Sequence, residues 1–118
     1  MNTKELLSRY SAGQRDFRNL NLMAANLRNI NLSGANFSGA NFRGANLVST
    51  NLSQANLTDV NLTGANLTKA NLSRANLKNA NLTQATISDT NLNHANLSET
   101  ILPEGVDVSL SSNGFAIP

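Results

Sequence analysis

The sequence predicts an all-β solenoid, a chain coiled around one axis with its apolar side chains inside. Two observations lead to this prediction. From Phe17 onward a large apolar residue recurs at every fifth position without an insertion, and a small residue, usually alanine, lies two positions before it. The residue between the two is almost always asparagine. Such strict self-similarity is typical of repeat architectures.

A five-residue period fits neither regular element. On an α-helix, five residues advance about 500°, which scatters the apolar residues around the cylinder. On a flat strand, an odd period turns successive apolar residues to opposite faces. If the chain bends once in each unit, the alanine and the large residue both point inward and the asparagine points outward. The predicted core consists of these large residues: Phe17, Leu22, Leu27, Leu32, Phe37, Phe42, Leu47, Leu52, Leu57, Leu62, Leu67, Leu72, Leu77, Leu82, Ile87, Leu92 and Leu97.

Units such as Ala55–Asp59 and Ala75–Asn79 contain A-N-L followed by two variable residues, and they resemble the units of pentapeptide-repeat proteins. The resemblance covers residues 15–102. It implies a right-handed quadrilateral β-helix of about four coils with about 20 residues in each. It also implies an origin in cyanobacteria, where the family is especially abundant. Residues 20 apart would then stack in columns, with Phe17 over Phe37, and the outward asparagines would form amide ladders between coils.

We expect three segments: an N-terminal helical cap at residues 1–14, the pentapeptide-repeat β-helix at 15–102, and an irregular C-terminal cap or tail at 103–118. The pattern predicts a short helix with a capping box at its start and a stop near its end. Its apolar stripe is expected to cover the first coil. The residues concerned are Asn2 and Glu5 in the capping box, Leu6, Leu7 and Tyr10 in the stripe, and Gly13 at the stop. The last coil is expected to be covered by Val106, Val108, Leu110, Phe115 and Ile117.

The sequence predicts no enzymatic activity and no cofactor. It contains no cysteine, and its single histidine, His94, occupies an outward position. The carboxylates are scattered, and no combination of nucleophile, base and orienting acid is apparent. The glycines recur at a corner of the repeat, where relaxed backbone geometry explains them: Gly34, Gly39, Gly44 and Gly64. We therefore assign no catalytic, cofactor-binding or metal-ligating residue.

Neither a membrane span nor a secretory signal is visible in the sequence. No apolar run approaches the ~18 residues that a membrane span needs. The N-terminus lacks the apolar segment of a secretory signal. These features predict a cytoplasmic protein with no membrane partner.

The preferred function is a non-enzymatic structural or protein-interaction module with an unknown protein partner. DNA mimicry, which the resemblance brings into consideration, needs rows of carboxylates at phosphate-like spacing. This chain instead has asparagine where the mimics often have aspartate, and its formal net charge is +2. Its pI of about 9.5 also disfavours mimicry.

Two further binding functions are weaker alternatives. A nucleic-acid-associated protein would use basic residues, but these are expected on several faces without interleaved aromatics. They are Arg18, Arg28, Arg43, Lys69, Arg74 and Lys78. Ice binding would need a regular threonine array, whereas the coil period is expected to place the threonines on different faces. These are Thr58, Thr63, Thr68 and Thr83.

Charge is distributed unevenly along the chain. Residues 1–50 contain six basic and two acidic side chains, and residues 51–118 contain three basic and five acidic ones. Because sequence order becomes axial position in a solenoid, the rod would be basic at its start and acidic at its end. Such a rod is either a monomer with solvated charges or associates weakly with itself in a salt-sensitive way, through antiparallel side-by-side pairing or head-to-tail contact.

Overall fold

The computed structural model describes residues 1–106, so the predictions for Val108, Leu110, Phe115 and Ile117 lie outside the described residues. Its one helix in this range, α1, spans Thr3–Ser11. From Asp16 onward, single residues form parallel bridges with the residue 20 positions later, the first between Asp16 and Asn36 and the last between Asn81 and Ile101. The chain therefore coils with four five-residue units in each 20-residue coil. The first to fourth coils are residues 15–34, 35–54, 55–74 and 75–94, and a partial coil follows them.

Backbone hydrogen bonds join successive coils in a pattern that repeats from unit to unit. In the central coils, the N–H of Leu57 donates to the carbonyl of Asn76 at 2.8 Å, and that of Asp59 donates to Lys78 at 3.0 Å. In return, the N–H of Asn76 donates to the carbonyl of Ala55 at 3.0 Å. The bridges are isolated within residues 1–106, so the sides of the coil are too short to count as extended strands. The expected β-strands are thus reduced to one bridging residue in each unit.

A tight turn separates each unit from the next. In the unit centred on Leu57, the N–H of Val60 donates to the Leu57 carbonyl at 3.3 Å, and Asp59 has φ +60°. A bond of this kind with a positive φ at the third residue indicates a type II turn. The glycines predicted at the corner, such as Gly64 with φ +68°, occupy this third position. Most units, however, place a non-glycine residue there, so the turn stores strain that the surrounding coils must offset.

The inward positions form one continuous core. Every predicted core residue from Phe17 to Leu92 is buried, whereas Leu97, in the last coil, is only partly buried. The Phe17 and Phe37 rings stack with centroids 5.5 Å apart, and the Phe42 ring meets Phe37 edge-on at 5.1 Å. The bulkiest packing therefore lies in the N-terminal coils, as the column arrangement predicts.

Threonine replaces the small inward alanine at three positions, and each hydroxyl is satisfied inside the coil. Thr50 and Thr90 are buried, and they donate to the carbonyls of Leu27 and Leu67, both at 2.7 Å. Thr100 makes the equivalent bond to Leu77. Because a buried hydroxyl without a partner costs free energy, these bonds explain how a polar residue occupies a core position.

Helix α1 lies over the first coil. It begins at the cap residue Asn2, whose side chain accepts the Glu5 N–H at 2.8 Å. The Glu5 carboxylate pairs with Arg9 at 2.6 Å, so the return bond of a capping box is not made. Leu6 is fully buried, whereas Leu7 and Tyr10 are only partly buried. The stripe therefore covers the core chiefly through one leucine.

Side chains near α1 also occupy carbonyls of the first coil that have no preceding coil to bond them. The Tyr10 hydroxyl donates to the Ser33 carbonyl at 2.7 Å, and the Thr3 hydroxyl donates to the Asn26 carbonyl at 3.2 Å. In deeper coils, the equivalent carbonyls accept from the backbone of the preceding coil, as that of Ser53 accepts from Gly34 at 2.9 Å. The cap thus provides the hydrogen-bond donors that a preceding coil would provide, and it protects the exposed edge of the first coil.

We expect Tyr10→Phe to lower the free energy of unfolding by about 1 kcal/mol, the usual net value of one intramolecular hydrogen bond. The ring remains to pack on the coil and to carry the Arg15 guanidinium, which lies 3.7 Å from its centroid. Urea titration of both proteins measures the effect. Thr3→Val, which removes the more exposed Thr3 bond, should cost less. Unchanged stability of Tyr10→Phe would show that the cap acts through Leu6 alone.

Candidate interaction surface

The outward residues of each unit form columns along the rod. In each unit the residue before the core position and the two after it point away from the core, and their equivalents lie 20 residues on. We name the four sides after the first core residue of each: the Phe17 side, the Leu22 side, the Leu27 side and the Leu32 side. Neighbouring members of a column are one coil apart, about 4.8 Å. The fold thus presents side chains at regular, fixed positions.

The asparagines bond within their own turn and not between coils. The Oδ1 of Asn61 accepts the N–H of Thr63 at 3.0 Å, and the same bond, two residues ahead, recurs in unit after unit, as between Asn31 and Ser33 at 3.0 Å. The threonine hydroxyl of Thr68 also donates to Asn66 Oδ1, at 2.6 Å. The predicted amide ladders are therefore wrong, since the backbone of the asparagine joins the coils and its side chain fixes the turn.

Asn61→Ala should lower the free energy of unfolding by about 1 kcal/mol, because the Thr63 N–H loses its acceptor while the backbone bridges remain. Asn61→Asp is the matched control, as a carboxylate oxygen can accept the same N–H. Thermal melts of the two variants and the parent chain provide the comparison. Equal losses for alanine and aspartate would contradict the role assigned to the side-chain oxygen.

Two ion pairs are found within residues 1–106, and both lie at the N-terminal end. One is the Arg9–Glu5 pair on α1, and the other joins Arg18 Nε to Asp16 Oδ1 at 2.8 Å. The hydrogen bond from the Arg18 guanidinium lowers the pKa of the Asp16 carboxyl below its usual value, and the Asp16 carboxylate raises the pKa of Arg18. Both side chains are exposed, so this pair contributes little to stability.

Apart from Arg18, the cations in the outward columns are distributed over all four sides. Lys78 lies on the Phe17 side, Arg43 on the Leu22 side, Arg28 and Lys69 on the Leu27 side, and Arg74 on the Leu32 side, all of them exposed. This distribution agrees with the expectation from the sequence and provides no continuous basic stripe of the kind that follows a nucleic-acid backbone.

The threonines form only a fragment of an array. Thr63 and Thr83 stack in one column of the Leu22 side, contrary to the expectation that all four threonines lie on different faces. Thr58 and Thr68 are on the Phe17 and Leu27 sides. The residue one coil before Thr63 in this column is Arg43, so the pair of threonines does not continue toward the N-terminus.

The side chains that could bind a metal ion or take part in catalysis are spread over the surface. His94 is exposed at the third position of a turn, with φ +62°. Within residues 1–106, no three histidine, aspartate or glutamate side chains come close enough together to hold a metal ion. The described part of the chain also contains no helix long and apolar enough to cross a bilayer.

A solenoid whose core positions repeat and whose outward positions vary defines a repeat protein of the solenoid class. The model of the family "Pentapeptide repeats" matches residues 21–59 and 61–99 in eight copies. The chain belongs to the pentapeptide-repeat family, as the resemblance of its units predicted. No curated protein matches the sequence significantly.

Several solved structures are similar to this chain. A pentapeptide repeat protein from the Arabidopsis thaliana thylakoid lumen is 26% identical, with 87% of this chain and 74% of that chain covered and a TM-score of 0.58. HetL of the cyanobacterium Nostoc, involved in heterocyst differentiation regulation, is 32% identical, with coverages of 97% and 56% and a TM-score of 0.45. QnrB1, a plasmid-mediated fluoroquinolone resistance protein, is 20% identical, with coverages of 86% and 55% and a TM-score of 0.53.

These relations imply a right-handed β-helix for the chain. The chain spans only about half the length of HetL and of QnrB1, at 56% and 55%. The likeness to QnrB1, at 20% identity, concerns the fold alone.

Proposed function

We propose that this chain is a non-enzymatic protein-interaction module. In this proposal the repeat forms a four-sided right-handed β-helix of about four coils. The proposal is supported mainly by the different roles of the positions within each unit. The inward residues form the core and the asparagine fixes the turn, as Leu62 and Asn61 do in their unit. The first residue after the core position, by contrast, varies from Arg43 to Thr63 within one column.

Variation at positions outside the core and outside the asparagine position is suited to recognition. The scaffold holds these side chains at fixed spacing without ordering a loop, so binding a partner costs little conformational entropy. A rod with different chemistry on each side can also present one side to a partner and leave the others in solvent. Catalysis, in contrast, would need several functional groups brought together, and the outward columns separate them.

Four matched variants test this proposal, one for each side: Lys78→Glu, Arg43→Glu, Arg28→Glu and Arg74→Glu. Each reverses one exposed charge, so all four change the net charge equally. We expect a specific protein partner, captured from extracts of the source organism by the unaltered chain, to be lost by one variant or by two on adjacent sides. All four variants should melt like the unaltered chain. Equal retention by all four would contradict recognition through one charged side.

The same four variants separate protein recognition from nucleic-acid binding, the alternative function. A nucleic-acid-associated protein should lose affinity for duplex or single-stranded DNA by a similar factor in every variant, and its binding should fall steeply with salt. Loss confined to one side, with no salt-dependent shift on DNA, supports the protein module. The cytoplasmic location and the cyanobacterial origin stay predictions, since one similar structure is a thylakoid-lumen protein from a plant.

A further inference from the structure

The Leu27 side differs from the other three in how its charges are arranged along the axis. Its outward columns contain Arg28 in the first coil, Lys69 in the third and Asp89 in the fourth. All three side chains are exposed, and none forms an ion pair within residues 1–106. This side is therefore basic at its start and acidic at its end, with both charges available.

The other sides lack this arrangement. On the Phe17 side, Arg18 is already paired with Asp16, and Asp59 lies near the middle, where two antiparallel copies would place it against itself. The end of this side is of mixed charge, because Lys78 precedes Glu99.

On the Leu32 side, Arg74 is the one charged residue within residues 1–106, and His94 lies beyond it. The Leu22 side has Arg43 in its second coil and no charge in its first. Its acidic residue, Glu104, follows the last bridged residue, Ile101, at a turn that is shifted by one residue from the repeat.

We propose that the Leu27 side is a self-association surface on which a second copy of this chain lies antiparallel. Arg28 and Asp89 are three coils apart, roughly 14 Å along the axis. A twofold axis between the second and third coils therefore brings Arg28 of each copy to the same level as Asp89 of the other, which lies in the adjacent column, next to the Ser88 that Arg28 faces. The interface contains this ion pair twice, as an isologous contact requires.

The centre of this side is compatible with close approach. Val48 and Thr68 occupy the column between Arg28 and Ser88, and both are partly buried with short side chains. The twofold axis brings Val48 of one copy against Thr68 of the second copy. Lys69 then faces Ser49, so no like charges oppose each other. A parallel arrangement would instead set Arg28 against Arg28 and Asp89 against Asp89, which electrostatic repulsion disfavours.

The contact is expected to be weak. One side of four coils is about 19 Å long, and a single side buries less than the roughly 800 Å² per partner of a standard stable interface. Association should therefore appear at millimolar protein and depend on salt. The inference shares with the proposed function only the use of outward residues for protein contact, and it is tested on the purified chain alone.

Sedimentation equilibrium of the purified chain tests the inference at ionic strengths of ~0.01 M and ~1 M, where the Debye length is about 30 Å and 3 Å. We expect a monomer–dimer equilibrium at low salt and a monomer at high salt. Arg28→Glu and Asp89→Arg should each weaken dimerisation about tenfold, because two exposed pairs become repulsive. The double variant should restore it. Arginine is accepted at the position of Asp89, since Arg74 occupies the equivalent place with φ +60°.

Lys78→Glu and Glu99→Arg on the Phe17 side make the same changes of charge and should leave dimerisation unchanged relative to the unaltered chain. Matching thermal melts show that each variant is folded. A monomer under all conditions, a dimer insensitive to salt, failure of the double variant to restore association, or open-ended oligomers would each overturn the inference. Because no other partner is present in these measurements, failure here leaves the capture experiment with an extract unaffected.

Discussion

Leu57→Lys and Leu62→Lys should each abolish the folded state or cost at least about 4 kcal/mol. Both leucines are fully buried in the middle of the solenoid, with coils above and below them. Truncating such a side chain alone costs about 2–5 kcal/mol, and an unpaired ammonium in an apolar interior adds a desolvation penalty. Since a small domain is stable by about 5–15 kcal/mol in total, this loss removes much of the margin.

The matched controls lie one residue later in each unit. Thr58→Lys and Thr63→Lys place the same ammonium on the outward column and should change stability by no more than about 0.5 kcal/mol. Lys78, one coil after Thr58 in the same column, shows that this position accepts a lysine. Circular dichroism melts of the four variants measure the contrast. If the inward and outward variants melted alike, the inward register assigned to the leucines would be wrong.

The register of the core could be predicted because it depends on a strict period. Two inward residues in every five, such as Ala55 and Leu57, leave one arrangement in which all large residues meet inside. The stacking of Phe17 on Phe37 follows once residues 20 apart are placed in one column. The position of each charge on its side of the rod follows in the same way, so the main features of the surface are encoded in the repeat.

Hydrogen bonds of side chains that have more than one possible partner could not be predicted. An asparagine amide can bond either its own turn or the next coil, and the pattern alone favours neither. The positive φ at the residue directly before the following alanine position, as at Gly64, curls the turn so that the Thr63 N–H points to the Asn61 oxygen. The contacts of Thr3 and Tyr10 with the first coil span 23 residues and have no local signal.

Phe37→Ala should be the second most damaging substitution, with an expected loss of about 3–5 kcal/mol. Phe37 is fully buried and contacts two rings at once, stacking on Phe17 at 5.5 Å and meeting the edge of Phe42 at 5.1 Å. Alanine would leave a cavity between them and remove both aromatic contacts, each worth about 0.5–1.5 kcal/mol beyond the area that it buries. Because these rings lie in the first two coils, the damage should begin at the N-terminal end.

Phe37→Leu is the control, because leucine occupies the same column at Leu57 and Leu77. It should cost on the order of 1–2 kcal/mol, since most of the volume is kept but the ring contacts are lost.

Hydrogen exchange shows which coils are destabilised, because the stability of a solenoid is approximately a sum over neighbouring repeats. The amides of Phe17 and Leu22, which bond the second coil, should exchange faster in Phe37→Ala, and that of Leu72 should change less. A uniform increase along the chain would show that all coils unfold as one cooperative unit, and a loss equal to that of Phe37→Leu would contradict the role of the aromatic cluster.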